Sequence, residues 1–335
     1  MILSRTPFRT TLGGGGTDLP SYYEKHGGFL FAMGIDKYMY VATNTPVLDR
    51  KIRVHYTKIE TVDNPGQLQH DLARASLQHL GIEEKIEISS LADLKAGASL
   101  GSSSCYTVAL LAALRAQIRQ PIGMQELAEE AFQIEYETLN MTVGKQDPYL
   151  AAFGGMTVLE IDTDGGVKVR EAKINAATLM DFLANTHLYY TGIQGMAAAV
   201  LSMQDRAMQD PDGASHEAVQ ESLHGIKEIG YGILEAIETE NYDEFGCLMD
   251  KHWEYKKMMS SKINIPGIDD LYRLIKDRFG VLGGKVSGAG GGGFFMVYAP
   301  NNHAELDEFM QQHGLTRMHY RLDTEGVKIL TTSPN

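Results

Sequence analysis

Three glycine-rich segments, each bordered by apolar residues, constrain the fold of this 335-residue chain more than any other feature. Their sequences are TTLGGGGTDLP at residues 10–20, GASLGSSSC at 97–105 and VSGAGGGGFF at 286–295. Flexible linkers also use glycine and serine, but they lack apolar flanks of this kind. Glycine allows a positive φ and lets a ligand approach the backbone closely. A tight turn would explain a single cluster, whereas three clusters predict the walls of one cleft.

The middle cluster runs into an apolar segment that predicts a helix beginning at about Ser103. The free N–H groups of a helix's first turn, the helix dipole and nearby serine hydroxyls together favour a bound phosphate. A serine that caps the helix is the simpler alternative, and it would account for one of the serines. We therefore predict a phosphate-binding loop, formed by Gly97, Ser99, Gly101, Ser102, Ser103 and Ser104.

Three familiar motifs do not fit these segments. A P-loop needs G-x-x-x-x-G-K-[ST], and Gly284-Lys285 lacks both the upstream glycine and the hydroxyl residue after the lysine. The third cluster matches G-x-G-x-x-G, but the residues after it predict a strand, and a dinucleotide site requires a helix there. The GSSSC segment is not a G-x-S-x-G nucleophile elbow.

The order of predicted elements favours an α+β fold. Aromatic and β-branched residues predict strands at 28–44 and 51–57, and further strands are predicted at 85–90, 155–173, 187–192 and on both sides of the third cluster. The spacing of apolar residues predicts helices at about 65–81, 103–117, 124–139, 147–152, 195–209, 214–239, 241–259 and 303–312. Because strands and helices do not alternate strictly, a doubly wound parallel sheet is disfavoured.

Charge and cysteine content exclude several classes of function. The net charge of −13 argues against general nucleic-acid binding, which requires a basic face. Two cysteines cannot form a disulfide framework or a four-thiolate zinc site. The first residues lack the apolar core of a signal peptide, and no apolar stretch is long enough to cross a bilayer. We therefore expect a cytoplasmic protein without a membrane partner.

In their order and spacing, the three segments resemble the motifs of the GHMP kinases, which act on galactose, homoserine, mevalonate and phosphomevalonate. The middle segment resembles their phosphate loop, P-x-x-x-G-L-G-S-S-A, with Ser99 where a glycine is usual and Lys95 near the usual proline. The opening RTPFRTTLGGGGTDLP is most similar to kinases of D-glycero-D-manno-heptose 7-phosphate. The resemblance covers essentially the whole chain. It implies a mixed sheet-and-helix N-terminal domain and a C-terminal ferredoxin-like α/β domain, and a change in composition near residue 180 places them at 1–180 and 181–335.

The resemblance also implies roles for individual residues. Asp147 would accept the proton of the sugar hydroxyl, and Arg9 would neutralise the transferring phosphoryl group and Asp147. The phosphate loop would hold ATP, while Ser103 and Glu135 would hold Mg²⁺. The glycine clusters at the two ends of the chain would contact the acceptor sugar, through Gly15, Gly16, Thr17, Asp18, Gly288, Gly290 and Gly291. For a phosphate on the acceptor, the sequence leaves four cations open: Lys145, Lys37, Arg5 and Arg53.

The expected function is an ATP-dependent kinase for the anomeric hydroxyl of D-glycero-D-manno-heptose 7-phosphate. Its alternatives are a related kinase of fucose, galactose or an octose phosphate, a non-catalytic sugar sensor on the same scaffold, and a nucleotide-binding structural protein. The expected partners are ATP and the sugar phosphate, with a second copy of the chain as a further candidate and no nucleic acid.

Overall fold

A large mixed sheet forms the first half of the fold. The computed structural model describes residues 1–95, 97, 99–194, 197–259, 263, 265 and 267–332. The strand order is β12-β1-β2-β5-β3-β4, and β6 pairs with both β2 and β7. Among these pairs only β3 and β5 run parallel. The strands are β1 (Ile2–Gly13), β2 (Gly28–Asn44), β3 (Ile52–His55), β4 (Ile59–Val62), β5 (Ile86–Ala92), β6 (Met156–Ile161), β7 (Val167–Glu171) and β12 (Lys328–Thr332).

The long strand β2 organises this sheet. Its residues 31–43 pair with β1 on one side, while residues 28–33 pair with β6 and residues 39–44 with β5. The register of β1 against β2 shifts between Pro7 and Phe8, where the proline has no N–H to donate to the ladder. Buried hydroxyls then fix the position of helix α3 (Ser102–Gln117) on β1: Ser4 donates to the carbonyl oxygen of Ala109 at 2.7 Å, and Thr6 donates to that of Cys105 at 2.8 Å.

Helix α3 is the central helix of this half, and apolar residues surround almost all of it. The other helices here are α1 (Pro20–His26), α2 (Asp71–His79), α4 (Met124–Gln133) and α5 (Gln146–Phe153), with a 3-10 turn at Pro65–Gln67. The helix predicted at 124–139 continues after Gln133 as a π-helical turn, Ile134–Thr138. Such turns are rare and often occur at functional sites.

The second half contains an antiparallel sheet with the order β11-β8-β10-β9 and helices packed against it. Its strands are β8 (Thr186–Tyr190), β9 (Gly283–Val286), β10 (Phe294–Tyr298) and β11 (Thr316–Met318). Its helices are α6 (Ala176–Asn185), α7 (Ala197–Gln209), α8 (His216–Glu238), α9 (Tyr242–Met259), α10 (Ile268–Phe279) and α11 (His303–Gln312). The sequence reasoning missed α1, α6 and α10 and did not single out β1, but the two-domain α+β architecture is as predicted.

Close packing joins the two halves. Helix α8 lies against the start of the first sheet, where Gly230 is so near Gly13 that a Cβ on Gly13 would be 2.9 Å from its Cα. The rings of Phe29 and Tyr231 are 4.0 Å apart. Strand β12, from the end of the chain, pairs with β1 in the first sheet. Because that sheet includes a strand from beyond residue 180, the boundary near residue 180 stays a prediction. In the described residues, no helix has both the length and the apolar character required to cross a membrane.

Candidate active site

The phosphate loop meets α3 without a side-chain cap among the described residues. The helix begins at Ser102, one residue before the predicted start, and Gly101 precedes it with a φ of 85°. The hydroxyls of Ser99 and Ser102 are buried and find no hydrogen-bond partner in the part of the chain that the structure describes. Because the first N–H groups of a helix have no partner within it, the loop presents several donors that an anion could accept from.

Ser99 adopts a φ of 62°, in the left-handed region that glycine prefers. This is the position where the phosphate loop of the GHMP kinases usually has glycine. The loop therefore keeps the expected backbone conformation although the residue type differs.

A cavity of about 810 Å³ lies beside the loop. Gly97, Ser99, Gly101, Ser102 and Ser103 form one side of it.

An aromatic group consisting of Tyr56, His70 and Tyr106 lines another part of the same cavity. The ring centroids are 4.7 Å apart between Tyr56 and His70, and 4.9 Å apart between His70 and Tyr106. Burial lowers the pKa of His70, which favours a neutral imidazole. The cavity thus combines phosphate-binding donors with an aromatic surface suited to a nucleotide base.

Arg9 and Asp147 form an ion pair in the wall of this cavity. The Nε and Nη2 atoms of Arg9 lie 2.7 Å and 2.6 Å from Oδ1 of Asp147. Arg9 is the more deeply buried partner, with 6% of its side chain exposed against 27% for Asp147. Its Nη1 also donates to the carbonyl oxygen of Ser99 at 3.3 Å, so the pair is fixed to the phosphate loop.

A second cavity, of about 70 Å³, lies on the other side of the ion pair. Its polar lining includes Asp18, Gln204 and Lys256, with Gly15, Gly16 and Gly288. Asp18 accepts N–H bonds from Gly16 at 3.2 Å and Gln146 at 3.0 Å, but burial still raises the pKa of its carboxyl. Both cavities share five lining residues: Arg9, Val143, Asp147, Leu201 and Ala289.

Glu135 lies in the π-helical turn and is fully buried. Its carboxylate accepts hydrogen bonds from Ser104 at 2.6 Å and Thr107 at 2.9 Å. Burial raises the pKa of Glu135 to about 7, although both hydrogen bonds act in the opposite direction. No cationic side chain among the described residues pairs with it, so a divalent cation would supply the missing positive charge. A carboxylate beside a serine and a threonine hydroxyl also supplies the oxygen ligands that Mg²⁺ prefers.

The first and third glycine clusters meet at the phosphate loop. A Cβ on Gly288 would lie 2.3 Å from the carbonyl oxygen of Ser99, so only glycine permits this approach. The hydroxyls of Thr10 and Ser287 are 3.1 Å apart. The predicted convergence of distant segments is therefore present in the fold.

Five of the predicted site residues lie outside the walls of the two cavities: Thr17, Ser104, Glu135, Gly290 and Gly291. Thr17 stabilises the turn in which it lies, because its hydroxyl is within hydrogen-bonding distance of the carbonyl oxygens of Gly14 and Phe29, each at 2.8 Å. Ser104, and not Ser103, contacts Glu135. Gly290 and Gly291 pack against residue 263. The roles assigned to these five residues stay predictions.

The sequence reasoning missed Lys256, Gln204 and the aromatic group. Lys256 follows the buried residues Met249, His252 and Trp253 on one face of α9, and that helical spacing was the available signal. Trp253 is fully buried.

Comparison with known proteins identifies related families. The profile "GHMP kinases N terminal domain" matches residues 68–155, and "GHMP kinases C terminal" matches residues 233–312. A D-glycero-alpha-D-manno-heptose 7-phosphate kinase of Campylobacter jejuni is 27% identical, over 98% of both chains. An L-fucokinase/L-fucose-1-P guanylyltransferase of Bacteroides fragilis is 26% identical over 91% of this chain and 35% of its own. The crystal structure of a D-glycero-D-manno-heptose 1-phosphate kinase from Bacteroides thetaiotaomicron superposes over both whole chains with a TM-score of 0.80 and 23% identity.

Proposed function

The chain belongs to the GHMP kinase family and is an ATP-dependent phosphotransferase with an alcohol acceptor, and we propose that its acceptor is D-glycero-D-manno-heptose 7-phosphate. The γ-phosphoryl group of ATP would pass to the anomeric oxygen and give the 1,7-bisphosphate. The full-length similarity to the heptose 7-phosphate kinase of Campylobacter jejuni supports this choice of sugar.

The observation that carries the proposal is the position of the Arg9–Asp147 pair in the wall common to both cavities. The larger cavity has the donors and the aromatic surface that ATP requires. The smaller cavity has the buried polar groups that sugar hydroxyls require. A reaction between the two ligands would take place where the cavities adjoin, and that is where this ion pair lies.

Each member of the pair has a role in this reaction. Asp147 orients the anomeric hydroxyl and accepts its proton as the oxygen attacks the γ-phosphorus. An anomeric hydroxyl is more acidic than an ordinary alcohol, so a carboxylate suffices as the base. Arg9 stabilises the negative charge that develops on the phosphoryl oxygens, and its hydrogen bond to Ser99 fixes its position. Asp18 accepts hydrogen bonds from hydroxyls of the sugar.

The residues around Glu135 fit a magnesium ion, and we assign Ser103 and Glu135 to it. Ser103 faces the larger cavity, while Ser104 and Thr107 orient the carboxylate. When bound, the ion would neutralise charge on the phosphate oxygens.

The proposal also covers location and assembly. We place the reaction in the cytoplasm, where ATP is supplied. A second copy of the chain stays the candidate partner for assembly.

A coupled assay of ADP release across a panel of acceptors tests the proposal. We expect the highest kcat/KM with D-glycero-D-manno-heptose 7-phosphate, and lower values with fucose, galactose and an octose phosphate. Robust turnover of a free hexose without turnover of the heptose phosphate would reject the substrate and favour the alternative kinase. Sugar binding without Mg²⁺-dependent ADP release would instead identify a sensor.

A further inference from the structure

Lys256 on α9 is a buried cation in the wall of the smaller cavity. Its Nζ donates to the carbonyl oxygen of Val286 at 3.0 Å and to that of Gly288. An ammonium group has three N–H donors, so one donor remains for a ligand in the cavity. The glycine cluster thus fixes the head of this side chain beside the proposed acceptor site.

Among the residues that the structure describes, Lys256 has no carboxylate partner. The four cations that the sequence left open for a substrate phosphate all have one. Lys145 pairs with Glu129 at 2.7 Å, and Lys37 pairs with Asp36 at 2.7 Å. The remaining two ion pairs are Arg53–Asp49 and Arg5–Glu325. A cation already neutralised by a carboxylate is a poorer candidate for binding an anionic substrate.

Basic side chains surround Lys256. Arg9 lies near it from β1, Lys285 from β9, and His252 one helical turn earlier on α9. Burial, and then the charge of Arg9, lower the pKa of Lys256 to about 7. The carboxylates that line the same cavity are Asp18 and Asp147, and Asp147 is paired with Arg9. A buried amine in this setting gains stability from an incoming anion.

We propose that Lys256 binds the phosphate monoester of the acceptor and so selects a phosphorylated sugar over a free one. This inference rests on the proposed function, because it takes the smaller cavity as the acceptor site. Lys256 lines that cavity, whereas the described lining of the larger cavity does not include it. This position favours contact with the acceptor over contact with the nucleotide.

The first test is calorimetric titration of the ATP-analogue complex with heptose 7-phosphate and with the unphosphorylated heptose. We expect Lys256→Met to weaken binding of the phosphorylated sugar by about 10- to 100-fold, the loss typical of a hydrogen bond to a charged group. The affinity for the free heptose should change by less than about twofold in the same variant. Lys256→Arg keeps the charge and should retain part of the preference. Lys251→Met, at an exposed position on the same helix, is the matched control.

A second measurement uses the wild-type protein and so does not depend on how the variant folds. At pH 8 a phosphate monoester is already a dianion. Binding to an amine with a pKa of about 7 should therefore take up roughly one proton, because the anion raises that pKa. Titration in buffers of different ionisation enthalpy measures this uptake. The absence of uptake would overturn the assignment.

The outcomes separate this inference from the proposed function. If Lys256→Met loses affinity equally for both sugars, or loses affinity for neither, the role of Lys256 is overturned. If the wild type does not bind heptose 7-phosphate, the proposed substrate is wrong, and the same titration with hexose 6-phosphates then decides the inference. Binding of a hexose phosphate that Lys256→Met weakens selectively supports it, and binding of no sugar phosphate overturns it.

Discussion

Gly288 of the third glycine cluster packs closely against Ser99 of the phosphate loop, and Gly288→Ala tests this contact. Gly288 has a φ of 69°, and an added Cβ would lie 2.3 Å from the carbonyl oxygen of Ser99. A left-handed alanine costs about 1–2 kcal/mol. Reaching ordinary contact also requires the loop to move by about 1 Å, and overpacking of this kind costs about 1–3 kcal/mol. We expect a total destabilisation of about 2–5 kcal/mol on the same scales.

Gly280→Ala is a matched control. Gly280 has nearly the same φ, 68°, but nothing lies within 4 Å of the added Cβ. This variant should be destabilised by about 1–2 kcal/mol, the cost of a left-handed alanine alone, and should keep wild-type kinetics. Urea unfolding measures both free energies.

The kinetic consequence of Gly288→Ala follows from Arg9, which donates to the carbonyl oxygen that must move. A displacement of about 1 Å at a reacting group can reduce the rate by about 100-fold. We expect kcat to fall in Gly288→Ala beyond the change in folded fraction. Equal stability and equal kcat in the two alanine variants would refute the contact.

Three further predictions concern other residues of the fold. His252 is fully buried with both ring nitrogens unpaired in the described structure, and burial lowers its pKa well below the usual 6.5. Below pH 6.5 only the unfolded state gains the proton, so the free energy of unfolding should fall by about 1.4 kcal/mol per pH unit. His252→Leu should remove this dependence in urea unfolding. An unchanged slope of unfolding free energy against pH in the variant would contradict the prediction. For Tyr56→Ala we expect KM for ATP to rise about 5- to 100-fold through lost stacking, with KM for the acceptor nearly constant. An unchanged KM for ATP would show that the nucleotide base does not bind at Tyr56. Because the pKa of Glu135 is raised from 4.5 to about 7, its contribution to stability is full below pH 4.5 and is lost as the pH rises through about 7. Glu135→Gln should flatten that decline and raise the Mg²⁺ concentration for half-maximal rate, whereas unchanged Mg²⁺ dependence would remove Glu135 from the metal site.

Local patterns in the sequence predicted most of the fold. The left-handed backbone at Gly101 and Gly288 explains why glycine is needed there. The meeting of the clusters was predicted because glycine lets a ligand approach the backbone closely. Helix α10 was missed although its buried residues Ile268, Leu271, Tyr272 and Ile275 have helical spacing. The pairing of β12 with β1 joins the two ends of the chain, and no local pattern indicates such a contact.

The site was harder to predict where polar residues are buried. Sequence spacing selected Glu135, but it could not show that Ser104 and Thr107 hold its carboxylate. Similarly, Lys145 was a candidate for a phosphate because its pairing with Glu129 is invisible in the sequence. Lys256 was missed for the opposite reason, since a lysine on an apolar helix face is usually assumed to reach solvent.

The catalytic role of Asp147 is the central claim of this account, and the kinetics of Asp147→Asn test it most directly. The substitution keeps the shape of the side chain but removes the base and the charge that Arg9 contacts at 2.6 Å. We expect kcat to fall by about 10²- to 10⁴-fold, the usual contribution of a general base. The affinity for an ATP analogue should stay within about twofold on the same scale, and circular dichroism should report an intact fold. A folded variant with near-normal kcat would contradict the account.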